Sequence, residues 1–341
     1  MIRRVKFGDY EFTTSGIGFG TAGIYREPSK VARRRLLESV LETGICHFDV
    51  APIYGLGQAQ GELGRALRGH REEIVIASKV GIGLTSLARV FGRVQSPARR
   101  VLQRIPSLQQ RARESAASPS SGQFGGLLYR SALDVTSVQR SLEQSLRELG
   151  TEYIDILLLH DPDPSLLHPE EVYELFERAR VSGKIRAWGV AGELEPTVAV
   201  VKALPGPAPI VQIRDDIFRR DEHLKLPGQS NYLITFGVLG FALPRISAHV
   251  TADGERTRKW SEAVGADLAD PRTITTFLLK DAIRANPHGT VLYSTARPER
   301  LRDTAALFVS DPTQPDTSLE VFRQLVRSEM RTSRATTKDE Q

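Results

Sequence analysis

The feature that most constrains this chain is an alternation. Eight short apolar runs are separated by longer segments with helical periodicity. The runs are GIGFGTAG (16–23), ICHFDV (45–50), EIVIASKV (73–80), YIDILLLH (153–160), KIRAWGVA (184–191), IVQIRD (210–215), YLITFGVLG (232–240) and TVLYST (290–295). After the first, KVARRRLLESVLETG (30–44) follows Pro28-Ser29 and sets Val31, Leu36, Leu37, Val40 and Leu41 at helical spacing, with Gly44 as its stop. Further helix-period segments lie at 58–69, 136–150, 169–183, near 194–203, 271–287 and 297–308. Strands that alternate with helices make a parallel sheet under helical cover. The runs are apolar along their length, as strands buried on both faces should be. Eight such units is the count of a closed α/β barrel, the (β/α)8 TIM barrel. An open doubly wound sheet is the alternative.

No break in composition divides the 341 residues, so the expectation is one barrel domain over 1–332 and a disordered tail over 333–341. Two stretches interrupt the rhythm, a long one at 81–135 and a smaller one at 241–270. The first is basic: between Leu84 and Arg130 there are eight Arg and one Glu, a net +7 that exceeds the +5 of the whole chain. Positive charge is therefore local, and nucleic-acid binding by the whole protein is not expected. The single cysteine, Cys46, excludes a disulfide framework and suits a reducing compartment. No apolar h-region opens the chain, and no run of about 18 apolar residues could span a membrane. A cytoplasmic location is expected.

Gly18, Gly20 and Gly23 spell G-x-G-x-x-G after a strand, with Asp49 downstream as a candidate ribose ligand. The context argues against a dinucleotide fold of that type. There the helix opens within the glycines, so that its N-terminus meets the pyrophosphate. Here Tyr25, Arg26, Glu27 and Pro28 intervene before the helix start signals. A tight strand-to-loop exit accounts for the glycines.

In a barrel the C-terminal strand ends share one mouth, where the chemistry sits. The second run ends at Asp49 with Tyr54 just beyond, the third ends with Lys79, and the fourth at His160. Each alone has an ordinary reading: a cap, a turn aromatic, a solvated strand end, a satisfied histidine. Together they make chemical sense. A phenol with a pKa of about 10 is a weak acid at neutral pH. A nearby ammonium stabilises the phenolate, and a carboxylate holds the ammonium. An imidazole can orient a carbonyl oxygen or relay a proton. That is equipment for protonating an oxygen while hydride reaches its carbon.

The segments FDVAPIYGLGQAQGELGRAL, IVIASKVG, SLEQSLRELGTEYIDILLLHDPDP and GKIRAWGV resemble those of the aldo-keto reductase superfamily, over residues 12 to 310. The resemblance implies a (β/α)8 barrel and an oxidoreductase that uses NADP(H), or else NAD(H), without a Rossmann domain. It places the family tetrad on Asp49, Tyr54, Lys79 and His160, with Tyr54 as general acid/base, Lys79 and Asp49 tuning it, and His160 as carbonyl orienter or relay. The cofactor side departs from the family pattern. The Ser-Asn pair after the fifth strand is Ala191-Gly192; the sixth-strand glutamine is kept as Gln212; the stacking aromatic is Asp215; and the seventh-loop serine is Gly237. Beyond the eighth strand, Arg300 aligns with the arginine for the 2′-phosphate. Ser294, Thr295, Arg297 and Asp303 are expected to help, with Thr304 in place of the family asparagine. An Asp215 carboxylate beside the nicotinamide would favour its oxidised, positive form. That raises the expectation of a dehydrogenase.

The partner is then a small carbonyl or alcohol. The Leu, Val, Phe and Ile of the basic insert suggest amphipathic helices, read first as a solvated excursion docking its apolar face on the barrel; the alternatives are a lid that draws anionic substrates and a patch for an acidic partner, nucleic acid or membrane surface. The alternative is an NADP(H)-binding barrel that serves as a regulatory or scaffold subunit; a third is a cofactor-free barrel binding a ligand at its mouth. No metal site is expected, and the oligomeric state is open.

Overall fold

The computed structural model describes residues 1–7, 10, 12–90, 92, 128–130, 133–206, 210–219, 232–309 and 311–330. Strands β1 (Arg4–Lys6) and β2 (Thr13–Ser15) pair antiparallel as an N-terminal hairpin. Then come β3 (Ile17–Gly20), α1 (Lys30–Glu42), β4 (His47–Asp49), α2 (Ala59–Ala66) and β5 (Val75–Val80). A small hairpin of β6 (Ile82–Leu84) and β7 (Leu128–Arg130) closes the two ends of the basic insert. The chain continues through α3 (Val135–Leu149), β8 (Ile154–His160), α4 (Pro169–Val181), β9 (Ile185–Gly192), α5 (Leu194–Ala203), β10 (Ile210–Arg214) and β11 (Leu233–Phe236). Helices α6 (Ala242–Thr251), α7 (Gly254–Val264) and α8 (Pro271–Ala285) precede β12 (Thr290–Tyr293), and α9 (Pro298–Ala306) and α10 (Thr317–Met330) follow it.

Strands β3, β4, β5, β8, β9, β10, β11 and β12 close into a barrel in chain order, every neighbour parallel. The eight expected runs are these eight strands, and closure disposes of the open sheet. Helix ends carry the expected signals. Ser29 accepts the Ala32 N–H to cap α1, Asp134 accepts the Ser137 N–H to cap α3, and Gly150 closes α3 in the left-handed region.

The pleat's period of two divides each barrel strand into an inward and an outward face. Inward residues low in the barrel are apolar: Val75 and Ala77, Ile156 and Leu158, Ala187, Ile210, Ile234 and Leu292 form one buried cluster. Phe7 and Phe12 of the hairpin join it from below. Phe7 stacks on Tyr232 at 3.5 Å and on His47 at 6.3 Å between ring centroids, so aromatic rings plug the N-terminal end. The outward face meets the helices in the larger core, which includes Phe19, Phe48, Leu157, Phe176, Trp188 and Phe277. The charged Asp49, Lys79 and Arg214 stand instead at the C-terminal mouth.

The hairpin β1–β2, helices α6 and α7 within 241–270, and α10 have no counterpart in the eight-fold rhythm; they are additions around it. Of the basic insert, residues 86–90 are helical, and most of the amphipathic stretch expected there lies outside the described residues, as does the expected tail at 333–341. No helix among the described residues is long and apolar enough to cross a membrane.

Candidate active site

A cleft of ≈ 250 Å³ opens at the mouth and is lined by Asp49, Tyr54, Lys79 and His160 together with Gln212, Arg214 and Phe236, among others. Three of the four sequence candidates arrive by strand alternation: Asp49 lies above His47 on β4, Lys79 above Ala77 on β5, and His160 above Leu158 on β8. Tyr54 arrives by a turn. Its N–H donates to Ala51 O at 3.0 Å, and the chain then passes through three left-handed residues, Gly55, Leu56 and Gly57. A Cβ at Gly55 would lie 2.4 Å from the Tyr25 ring, so glycine is needed there for the loop to close on its neighbour.

The side chains form one connected chain. The Lys79 ammonium donates to Asp49 Oδ1 at 2.5 Å and to the Tyr54 hydroxyl oxygen at 3.2 Å. The Gln212 side-chain amide donates to the same Asp49 oxygen at 2.9 Å. The His160 ring meets the Tyr54 ring edge-on, at 6.2 Å and 88°. Burial opposes the Lys79 charge, but Asp49 and Tyr54 outweigh it and raise its pKa, so Lys79 is a fixed cation. Burial raises the Tyr54 pKa, and Lys79 pulls it down by less. The net direction is upward, the reverse of the tuning expected from the ammonium alone. The reason is that removing water around the hydroxyl penalises the phenolate more than one cation at 3.2 Å repays. Burial, with help from Lys79 and Arg130, pushes the His160 imidazole down to about 3. It is therefore neutral at ordinary pH, able to donate one N–H to an oxygen but not to act as a cationic acid.

The opposite wall is less complete. Gln212 is buried, and its Oε1 has no hydrogen-bond partner. Asp215 does not line the cleft. It follows the end of β10, is buried, and its N–H donates to Phe236 O at 2.9 Å. The inward position that shares a face with Gln212 is 214, and Arg214 fills it. The Arg214 Nε donates to Glu193 at 2.8 Å, and its guanidinium lies 5.5 Å from the Phe236 ring centroid. Gly237, Ser294, Ala191 and Gly192 do line the cleft, and Ser294 Oγ donates to Gly20 O at 2.7 Å. Thr295 accepts the Arg297 N–H at 3.1 Å, which starts α9. Arg297, Arg300 and Asp303 are exposed around that helix start, with no ion pair among the described residues, whereas Thr304 is buried. Among the described residues, no cluster of three or more His, Cys, Asp or Glu could hold a metal ion.

The sequence profile described as "Aldo/keto reductase family" matches residues 16–226, more than half of the chain. The chain belongs to the aldo/keto reductase family of oxidoreductases. Pyridoxal 4-dehydrogenase of Microbacterium luteolum is 34% identical over 155 residues, 44% of this chain and 40% of that protein. The match thus spans well under half of that relative's length. An aldo-keto reductase of Bacillus subtilis (strain 168) is 25% identical over 265 residues, 74% of this chain and 67% of that protein. Two solved folds are similar. The holo form of an aldo-keto reductase from Bacillus halodurans shares 18% identity at a TM-score of 0.67, covering 95% of this chain and 96% of that one. An aldo-keto reductase from Klebsiella pneumoniae in complex with NADPH shares 20% identity at 0.62, covering 96% and 95%.

Read as an aldo/keto reductase, the cleft holds residues that strand alignment by sequence did not find. Arg214, Phe236, Asp161 and Glu193 line it. The signal for two of them was present: counting by two from Gln212 gives 214, and from Ile234 gives 236. Counting by three, as the family's spacing does, gives 215, which has left the strand. Phe236 is the only aromatic residue the cleft draws from β10, β11 or β12. A nicotinamide suits this wall on one observation: the buried, unpartnered Gln212 Oε1 is an acceptor for a carboxamide N–H.

Proposed function

We propose that this aldo/keto reductase transfers hydride between NADP(H) and a small carbonyl/alcohol pair, with Tyr54 as proton donor in reduction and proton acceptor in oxidation. The observation that carries the reading is the chain Tyr54–Lys79–Asp49–Gln212, four side chains bonded in sequence at the mouth of a closed barrel. When bound, the nicotinamide supplies or accepts the hydride. The protein's own part is the proton and the geometry. The neutral His160 donates an N–H to the carbonyl oxygen and fixes its orientation. As the oxygen gains negative charge, the Tyr54 O–H bond breaks and its proton goes to that oxygen. The phenolate left behind is held by the Lys79 ammonium, which Asp49 keeps charged and in place. Water then reprotonates Tyr54.

The raised Tyr54 pKa supports reduction at neutral pH, since the phenol stays protonated until an alkoxide, a much stronger base, forms beside it. Oxidation needs the phenolate and is expected to rise with pH. Gln212, Phe236 and Ser294 are the residues that would receive the nicotinamide side. Arg297 and Arg300, at the start of α9, would receive phosphate, where a helix N-terminus and guanidiniums favour an anion. NAD(H) is the weaker-bound option. The small volume favours small substrates, and the relative named for pyridoxal makes aromatic aldehydes the first class to screen.

A second reading, an NADP(H)-binding regulatory barrel, is favoured by the missing polar side chains at Ala191, Gly192 and Gly237. Tyr54→Phe separates the two. An enzyme loses about 10²- to 10⁴-fold in kcat with its nucleotide affinity kept. Wild-type protein that binds NADPH and turns over no carbonyl or alcohol supports the regulatory reading instead.

A further inference from the structure

The cleft carries a carboxylate that the mechanism does not use. Asp161 follows His160 directly, and among the described residues it is one of two non-glycine residues with positive φ, at +44°. Such a backbone costs about 1 kcal/mol and is kept only where its surroundings hold it. Here the Asp161 N–H donates to Ala191 O at 2.7 Å, and Arg130 donates to its carbonyl oxygen. The carboxylate lines the cleft, is about half exposed, and accepts no hydrogen bond from the described residues. Among the described residues, the one basic group within ion-pair distance is His160 Nε2 at 3.9 Å, a neutral imidazole. Burial, then the Glu193 carboxylate, raises its pKa, with Arg130, Lys79 and Arg214 opposing.

The place this carboxylate occupies is informative. A Cβ on Gly192 would lie 2.7 Å from Asp161 Oδ1 and 3.3 Å from Thr197 Oγ1. Glycine at 192 is therefore what admits the carboxylate, and Asp161 stands where a side chain at 192 would begin. Thr197 Oγ1, also buried and without a partner, faces the same recess. In register, His160 pairs with Ala191 and Ala191 with Gln212. Asp161 just past β8, Gly192 at the end of β9 and Gln212 within β10 thus come from three adjacent strands, and all three line the same cleft.

We infer that Asp161, admitted by Gly192, is a ligand of the nicotinamide carboxamide N–H and the residue that biases the site toward the oxidised, positively charged ring. The inference rests on the NADP(H) reading above. A carboxamide N–H is the donor that an acceptor-only carboxylate requires, and a fixed negative charge beside the ring attracts its cationic form over the neutral reduced one. The bias first expected from Asp215 thus falls to a residue on a different strand.

The test is calorimetric titration of the full chain with NADP+, NADPH and the 3-acetylpyridine analogue of NADP+, which keeps the positive ring but lacks the N–H donor. Wild type should bind the analogue about tenfold more weakly than NADP+. Asp161→Ala should lose most of that discrimination, the share of Gln212 Oε1 remaining, and should weaken NADP+ relative to NADPH. Asp161→Asn, which tolerates the left-handed backbone and keeps an acceptor, should retain discrimination but weaken NADP+ relative to NADPH by several-fold. Gly192→Ala, which displaces the carboxylate without removing it, should resemble Asp161→Ala. Nucleotide affinities and discrimination unchanged by all three substitutions would overturn this inference and leave the cofactor reading intact. Wild type that binds no nucleotide would overturn both.

Discussion

The two walls of the cleft differ in how they are built. On the β4–β5–β8 side, Asp49, Lys79 and Tyr54 satisfy one another at 2.5 and 3.2 Å. On the β9–β10–β11 side, Gln212 Oε1 is a buried acceptor without a donor among the described residues, glycines stand at 192 and 237, and the half-exposed Asp161 carboxylate reaches in from the end of β8. A buried ion pair is strongly destabilised by losing one member, so the first wall is locked by folding itself. The second wall is held by ordinary barrel packing and by the ion pair of Arg214 with Glu193 at 2.8 Å. The difference teaches that the proton-handling side of such a site is self-consistent without its cofactor.

The comparison breaks first at Lys79. Lys79→Met leaves Asp49 buried and unpaired, and should cost about 3–5 kcal/mol in denaturant unfolding. The double variant with Asp49→Asn should recover much of that stability and none of the turnover. A single variant as stable as wild type would mean that the first wall is not locked. On the second wall, Phe236→Ala should weaken nicotinamide nucleotides about five- to tenfold, the worth of a ring platform, while leaving stability near that of wild type. Unchanged affinity would remove Phe236 from the cofactor surface.

A smaller effect sharpens the account of the interior. Burial, then Lys79, lowers His47 to about 3 from 6.5, and His160 is lowered to the same value. The unfolded chain takes up protons at both sites below about pH 6.5, where the folded chain refuses them. The stability they contribute is complete above that pH and declines as the pH falls toward 3. Thermal midpoints should therefore drop between pH 6.5 and 5, above the carboxylate range, and the drop should shrink in His160→Gln. A flat profile would mean that neither imidazole is desolvated. By the same token, kcat should show no titration of a histidine between pH 6 and 8.

The barrel was legible because a parallel strand buried on both faces must be apolar throughout, and eight such runs leave little choice of fold. Asp49, Lys79 and His160 were legible because a polar residue that ends an apolar run stands at the mouth. Tyr54 came with them through its spacing from Asp49. The second wall was harder for a physical reason. Asp215 was expected on the nicotinamide by a spacing of three from Gln212, whereas inward positions on a strand recur every two; Arg214 and, from the next strand, Phe236 line the cleft there. Asp161 was invisible because its place depends on an absence, the missing side chain of Gly192 on another strand. The sign of the Tyr54 shift was missed because charge neighbours can be read from a sequence and the depth of burial cannot.

If the two walls form one cofactor-using site, the full chain must bind NADPH, and titration with that nucleotide decides it. Saturable binding in the micromolar range, weakened about tenfold by Arg300→Ala for NADPH and little changed for NADH, is the predicted result. Absence of binding to either nucleotide would contradict it, and would mean that the polar groups lost at 191, 192 and 237 are not replaced by Asp161, Arg214 and Phe236.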